Sequence, residues 1–157
     1  MFDAKSGIDD RNAVAERFQH MAEIAPVVCG YGNHDSPLDL HIFAKLRARW
    51  PIHVIAAPEI VELDLATGQT ASIFVLPYPQ RAMLVAAGQS KDGVLASADA
   101  LLDAIFMDAA VQLEQARRGG CITLMMGHAN IVGAISSVGQ PMIGQEISVS
   151  AAHLARL

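Results

Sequence analysis

The sequence predicts an α/β fold in which helices pack against strands in layers. Three features indicate this fold. Some segments are amphipathic with helical spacing, several short apolar runs have the length of buried strands, and one longer segment alternates between apolar and polar residues. Because the helical segments alternate with the apolar runs, we expect one domain over residues 1–157, a length sufficient for a substantial core.

Three segments have the periodicity of amphipathic helices: residues 9–24, 38–49 and about 97–118. Acidic residues open the first segment and two consecutive glycines follow the third, and such residues typically begin and end helices. In the first helix four apolar residues are expected to face the core: Val14, Phe18, Met21 and Ile24.

Three apolar runs predict buried strands, namely "VVCG" (27–30), "IHVIAA" (52–57) and "CITLMMGH" (121–128), the last of which ends in a loop. Residues 59–79 alternate in polarity and contain Thr-Gly at their centre, which predicts a β-hairpin. Towards the end of the chain, "EISVS" (146–150) is a candidate for one further strand.

The composition restricts the classes of function. With 52% hydrophobic residues and a net charge of −5, the chain resembles a packed globular protein with no general attraction to nucleic acid or to an anionic membrane. A phosphate-bearing substrate would therefore need metal ions or a local patch such as Lys45, Arg47 and Arg49. The two cysteines, Cys29 and Cys121, lie in apolar runs and are expected to be reduced core thiols.

The sequence contains no apolar run of the ~18 residues needed to span a bilayer. Its first residues also lack the basic and apolar regions of a signal peptide. We therefore expect a cytoplasmic protein with no membrane partner.

Two junctions between a strand and a loop carry residues suited to catalysis. "VVCGYGNHD" runs through two glycines to Asn33, His34 and Asp35, and "ITLMMGH" ends at His128. Ligands of open α/β sheets bind beyond the carboxyl ends of the strands, where glycine lets the backbone approach a metal or phosphate closely. His34 and His128 are therefore expected at the same edge of the sheet, although they lie far apart in the sequence.

The three consecutive polar residues have complementary chemistry. The amide oxygen of Asn33 can ligate a cation, and His34 can donate a proton or a hydrogen bond to a phosphoryl oxygen. Asp35 can orient the imidazole and favour its protonated form. The same residues also suit an Asx-type turn with a solvent-facing histidine, and His128 by itself suits a hydrogen-bonded structural residue. Both interpretations stay open at this point.

The string "GYGNHD" after a hydrophobic strand resembles the GNH[DE] motif of calcineurin-like metallophosphoesterases. The later "GHANIVGA" resembles the histidine motif of the SbcD/Mre11 DNA nuclease family within that group. The opening "MFDAKSGIDDRNAVAERF" resembles the tail of that family's G-D-x-x-D motif and the helix behind it, with Asp3 as the second aspartate. The resemblance implies a layered β-sandwich flanked by helices.

The resemblance also implies a function, which is metal-dependent phosphodiester hydrolysis by a DNA exo- and endonuclease of DNA repair. By the matched positions, Asn33 is a metal ligand and His128 is a ligand of a second metal. His34 stabilises the phosphoryl transition state or protonates the leaving group, with Asp35 aiming its ring. The implied cofactors are two divalent ions such as Mn²⁺, and the implied partners are DNA and an SbcC/Rad50-type ATPase. Family members commonly form homodimers.

The chain departs from the family pattern at both ends. The D-x-H motif and the metal-bridging aspartate belong upstream of Met1, and the G-H-x-H motif belongs downstream of Leu157. We therefore expect a partial domain that is inactive by itself, because hard cations need carboxylate charge. Two alternatives remain: a metallophosphoesterase for small phosphodiesters or nucleotides, which the acidic charge favours, and a non-catalytic remnant or interaction module.

Overall fold

Helices are interspersed with strands along the described parts of the chain, as the sequence predicts. The structure, a computed structural model, describes residues 7–35, 37–79, 98–134 and 147–157. Within these ranges the helical elements are α1 (Ile8–Ile24), α2 (Pro37–Leu40), a 3-10 helix (His41–Lys45), α3 (Ala98–Arg118) and α4 (Ala151–Leu154).

The strands of the described residues form three small sheets. In chain order they are β1 (Val27–Gly30), β2 (Ile52–Ile55), β3 (Glu59–Asp64), β4 (Thr70–Leu76), β5 (Ile122–Gly127), β6 (Asn130–Ile131) and β7 (Ser148–Val149). β1 and β2 are parallel, and so are β6 and β7. β3 and β4 form the predicted antiparallel hairpin, and β5 adds to β4 in parallel.

The β1–β2 and β3–β4–β5 sheets face each other across the central core. Gly30 on β1 lies so close to the opposite sheet that a Cβ atom added there would be 3.2 Å from Cγ1 of Val75 on β4. The buried side chains between the sheets come from both of them: Ile55, Val61, Leu63 and Val75. The two sheets therefore form the inner layers of the molecule.

Helices cover the outer face of each sheet. On the β4 side, α3 contributes four buried residues, which pack against Phe74 and Leu76: Leu102, Phe106, Ala109 and Leu113. On the β1–β2 side, Ala22 of α1 and Phe43 of the 3-10 helix are buried against the sheet in a second cluster. This arrangement confirms the predicted α/β fold class. No helix in the described ranges is both long and apolar enough to cross a membrane.

Near the C-terminal end of α1, the residues that face the core are not the predicted ones. Val14 and Phe18 pack against the core as expected, but Met21 is 43% exposed and Ile24 is 70% exposed. Ala22 is buried instead, so this small residue is the point at which the last turns approach the sheet. β1 is at the edge of its sheet in the described part of the chain, and Met21 and Ile24 line a groove of about 500 Å³ along it.

The predicted helix over residues 38–49 is shorter than expected. The α2 helix continues as the 3-10 helix only to Lys45, and Leu46 is extended, with φ −64° and ψ 139°. The N–H of Trp50 donates a hydrogen bond to the Ala22 carbonyl at 2.8 Å, which ties this extended segment to α1. Pro51 follows directly, and a proline disfavours helical backbone in the residue before it.

β5 is a strand, as predicted, but it is not fully buried. Ile122 is 39% exposed and Leu124 is 51% exposed, although both lie on the same face of the strand as Met126, which packs into the central core. Among the described residues, β5 is at the edge of its sheet and the opposing sheet has two strands. No described strand of the opposing sheet therefore covers the outer part of β5.

The sequence correctly predicted the turn between β3 and β4 and the free state of the two cysteines. The β3–β4 turn contains Gly68 with a φ of +82°, a left-handed conformation that favours glycine. Both Cys29 and Cys121 are free thiols, as predicted, but they are half-buried rather than fully enclosed.

Phe106 provides a test of the packing of α3. Its ring is fully buried, makes a perpendicular contact with Phe74 at 5.5 Å and stacks on His153 at 5.5 Å. Phe106→Ala should therefore lower the free energy of unfolding by about 3–5 kcal/mol, as measured by urea denaturation. Met107→Ala is the matched control, because the adjacent side chain is exposed and its loss should change stability by less than about 0.5 kcal/mol. Equal effects of the two substitutions would contradict this packing.

Candidate functional site

The candidate site lies where the ends of β1 and β4 meet. The N–H of Tyr31, directly after β1, donates to the Ile55 carbonyl at the end of β2 at 3.3 Å. The Tyr31 carbonyl accepts a hydrogen bond of 2.7 Å from the N–H of Tyr78, which follows β4. On the other side, the N–H of His128 donates to the Leu76 carbonyl at 3.0 Å. These bonds join the loop after β1 to the loop after β5 through the end of β4.

Gly32 is the point of contact between the two loops. A Cβ atom added to Gly32 would lie 3.1 Å from both Cε1 and Nδ1 of His128, and 3.1 Å from Oδ2 of Asp35. The chain therefore approaches the imidazole ring and the carboxylate more closely than a larger residue at position 32 would allow. The loop that carries Asn33 and His34 lies against His128, but the two loops follow strands of two different sheets and not of a single sheet as predicted.

Asp35 closes the loop around Asn33 and His34. Its Oδ2 accepts a hydrogen bond of 2.7 Å from the N–H of Gly32, and its own N–H donates to the Gly32 carbonyl at 3.3 Å. Asn33 and His34 lie in the turn between these bonds, and both are exposed. They are accessible to a ligand, and the predicted orientation of His34 by Asp35 stays a prediction.

Tyr78 and Asn130 belong to the same site and were not singled out in the sequence. The Tyr78 ring lies perpendicular to the His128 ring, at an angle of 82° with the centroids 5.7 Å apart. The Nδ2 atom of Asn130, at the start of β6, makes a long hydrogen bond of 3.5 Å to the Tyr78 hydroxyl. One signal was present: the sequence has two tyrosines, and each directly follows a strand or the short loop after one.

Burial and the Asp35 carboxylate raise the pKa values of two neighbouring groups, Cys29 and Tyr31. Burial is the main cause that raises the pKa of the Cys29 thiol, and the Asp35 carboxylate raises it further. The pKa of Tyr31 is also raised, by burial first, then by Cys29 and by Asp35. Both neighbours thus experience the field of Asp35, and such a field favours the binding of a cation.

The basic patch suggested by the sequence does not lie at this site. Residues 45–49 lead into the start of β2, whereas Asn33 follows the end of β1. Because β1 and β2 are parallel and Val27 pairs with Ile52, the start of β2 is at the opposite end of the sheet from the candidate site. Arg49 lies there, 6.0 Å from the centroid of the Trp50 ring.

His153 belongs to a separate polar cluster with a structural role. It is buried, and its Nδ1 accepts a hydrogen bond of 3.0 Å from the N–H of Ser150 at the start of α4. Its Nε2 lies 3.4 Å from Oδ1 of Asp103 on α3, and that same oxygen pairs with Arg156 at 2.9 Å. This cluster fastens α4 to α3.

The ligand set of the candidate site is small within the described ranges. Asn33 supplies an amide oxygen and His128 supplies imidazole nitrogens, and such groups bind Mn²⁺ or similar ions. Among the residues that the structure describes, no group of three or more His, Cys, Asp or Glu side chains is arranged to hold a metal ion. Asp3, which the family resemblance implies, lies outside the described residues.

In comparisons with known proteins, no family model matches this sequence, and no curated protein shows significant similarity to it.

Gly32→Ala tests the contact between the loops. The added methyl group would lie 3.1 Å from the His128 ring, which is shorter than the ~3.5–4.0 Å of a favourable contact, so the ring should be displaced. We expect the ring signals of His128 in a ¹H–¹³C NMR spectrum to shift, while those of the exposed His20 on α1 stay in place. Gly7→Ala is the control, because its nearest atom would be 3.6 Å away. Unshifted His128 signals would refute the contact.

The alkylation of Cys29 tests the position of the Asp35 charge. The thiolate is the reactive form, so a raised pKa moves the midpoint of the iodoacetamide rate profile to higher pH. Asp35→Asn removes one of the two raising causes, and the midpoint should move to lower pH. The measurement uses a Cys121→Ser background, so that one thiol reacts. Asp39→Asn, which removes a carboxylate paired with Arg11 at 3.2 Å, should leave the midpoint unchanged.

Proposed function

We propose that this chain contributes Asn33, His34 and His128 to a metal-dependent phosphodiesterase centre. The proposed activity is that of a DNA exo- and endonuclease of the SbcD/Mre11 type in DNA repair. One observation supports it above all, namely the close approach of Gly32, in the GNHD loop, to the His128 ring. If Asn33–Asp35 formed only a turn and His128 were only a structural residue, there would be no reason for these two distant motifs to meet at Gly32.

The fold supplies a second argument for this proposal. Two facing sheets with helices outside them are the layers expected of the metallophosphoesterase sandwich. Both motifs also follow parallel strands at their carboxyl ends, which is the usual location of ligands in α/β sheets. We therefore assign the site to the edge of the sandwich formed by the ends of β1, β4 and β5.

Each residue of the site has a proposed task. Asn33 and His128 would hold the metal ions, Asn33 by its amide oxygen and His128 by a ring nitrogen. Two divalent ions, when bound, neutralise a phosphate, generate hydroxide near neutral pH and stabilise the leaving oxygen. The exposed His34 would donate a hydrogen bond or a proton to the phosphate, and Asp35 holds the loop in shape through Gly32.

The donor chemistry of the described residues fits part of such a centre. An amide oxygen and an imidazole nitrogen are neutral ligands, and hard divalent ions bind strongly only when carboxylates supply charge. Asp35 is close, but one of its oxygens is engaged by the Gly32 N–H. We therefore expect weak binding of Mn²⁺ by this chain and no nuclease activity of the chain alone.

The proposed partners are DNA and an SbcC/Rad50-type ATPase, with a second copy of the chain in a homodimer and a cytoplasmic location. One observation favours a different substrate. The chain carries a net charge of −5, and the basic residues near Arg49 lie at the opposite end of the sheet from the site. The second candidate is therefore a metallophosphoesterase that acts on a small phosphodiester or a nucleotide.

Binding of Mn²⁺ to the purified chain tests the proposed centre. The measurement is a titration followed by the EPR signal of free Mn²⁺. Asn33→Ala and His128→Ala should each weaken binding by at least about tenfold, because each removes a ligand. His41→Ala, on the exposed side of the 3-10 helix, is the control and should leave the affinity unchanged.

Two results would contradict the centre: no binding by the wild-type chain, or binding that both substitutions leave unchanged. The first result favours a non-catalytic module.

A second titration distinguishes DNA from a small phosphodiester as the substrate. The ring signals of His34 are followed by NMR in the presence of Mg²⁺ while each substrate is added. A DNA nuclease predicts that a linear duplex shifts them at lower concentration than bis(p-nitrophenyl) phosphate does, and the small-substrate candidate predicts the reverse order.

A further inference from the structure

We infer that Tyr78 is a positioning residue for His128, and that Asn130 holds Tyr78 in place. The inference rests on the proposed function in one respect, since it takes His128 as a metal ligand. The contacts that carry it are independent of that assignment.

Because the side chain of His128 is exposed, neighbouring residues must fix the orientation of its ring. Its backbone is fixed, because the N–H donates to the Leu76 carbonyl, but its side chain is exposed. Contacts with the ring come from two directions. Gly32 approaches its Cε1 and Nδ1 atoms, and Tyr78 meets it at an angle of 82°. The perpendicular arrangement is a favoured geometry for two aromatic rings.

Tyr78 is itself held at two further points. Its N–H donates to the Tyr31 carbonyl at 2.7 Å, which fixes its backbone to the start of the GNHD loop. Its hydroxyl accepts the long hydrogen bond from Nδ2 of Asn130, which lies on β6 beside Ser148 of β7. Tyr78 therefore connects the two loops of the site. Its backbone is bonded to the start of the GNHD loop, and its ring packs on His128 in the loop after β5.

This contact suits a metal ligand for a chemical reason. The imidazole of a metal-binding histidine must keep a fixed orientation, and neighbouring groups usually supply it. A perpendicular aromatic neighbour restrains the plane of the imidazole by packing. The Tyr78 hydroxyl accepts a hydrogen bond from Asn130, and this bond restrains the ring that packs on the imidazole.

The test compares Tyr78→Leu with the conservative Tyr78→Phe in the full chain. Without metal, the χ1-dependent couplings and ring signals of His128 are measured by NMR. Tyr78→Leu should make the ring average over several rotamers, whereas Tyr78→Phe should retain most of the wild-type couplings. With Mn²⁺, Tyr78→Leu should weaken binding by about tenfold, and Tyr78→Phe should recover most of the affinity. His41→Ala, on the exposed side of the 3-10 helix, is the control and should leave the couplings and the affinity unchanged.

The outcomes separate this inference from the proposed function. If the wild-type chain binds no Mn²⁺, the proposed centre fails, and the couplings of His128 still decide whether Tyr78 positions it. If Tyr78→Leu leaves the couplings and the affinity unchanged, the inference is overturned while the centre stands. If circular dichroism shows that Tyr78→Leu does not fold, Asn130→Ala decides. Increased rotamer averaging of His128 in Asn130→Ala supports the inference, and wild-type couplings overturn it.

Discussion

The hydrogen bond between the Tyr78 N–H and the Tyr31 carbonyl, at 2.7 Å, is the interaction on which the candidate site depends. Tyr31 follows β1 in one sheet and Tyr78 follows β4 in the other, so the bond connects the two inner layers at the edge where their strands end. Elsewhere the two sheets meet through side chains such as Val75 and Ile55, which are apolar and non-directional contacts. A directional bond at this edge sets the relative position of the two loops.

The packing of the layers explains why that edge is well defined. β4 is the central strand of its sheet, with Val75 packed towards β1 and β2 and Phe74 packed towards α3. A one-residue shift of β4 would exchange these two sets of side chains between the two core faces, so the packing on both faces fixes its register. The fixed register of β4 also fixes the backbone of Tyr78, which follows it. Because β5 pairs with β4, this register fixes the backbone of His128 at the end of β5 as well.

Short-range patterns in the sequence were sufficient to predict α1, the β3–β4 hairpin and the long α3 helix. The proximity of His128 to the GNHD loop was predicted for a single sheet, whereas the two loops follow strands of two different sheets. The errors arose where distant neighbours decide the outcome. Met21 and Leu124 are apolar and correctly spaced, yet no described element covers them, and their spacing contains no information on the width of the opposing sheet. Tyr78 was missed for a related reason, because its partners His128 and Asn130 lie far along the chain.

The exposed face of β5 has a consequence for how the protein behaves at high concentration. Ile122 and Leu124 lie beside a strand edge that has no partner among the described residues. Unpaired backbone groups next to exposed apolar side chains form a template to which another chain can add a strand. A charged side chain on the face that Ile122 and Leu124 occupy would oppose the addition of such a strand, so these two apolar residues leave the edge open to self-association.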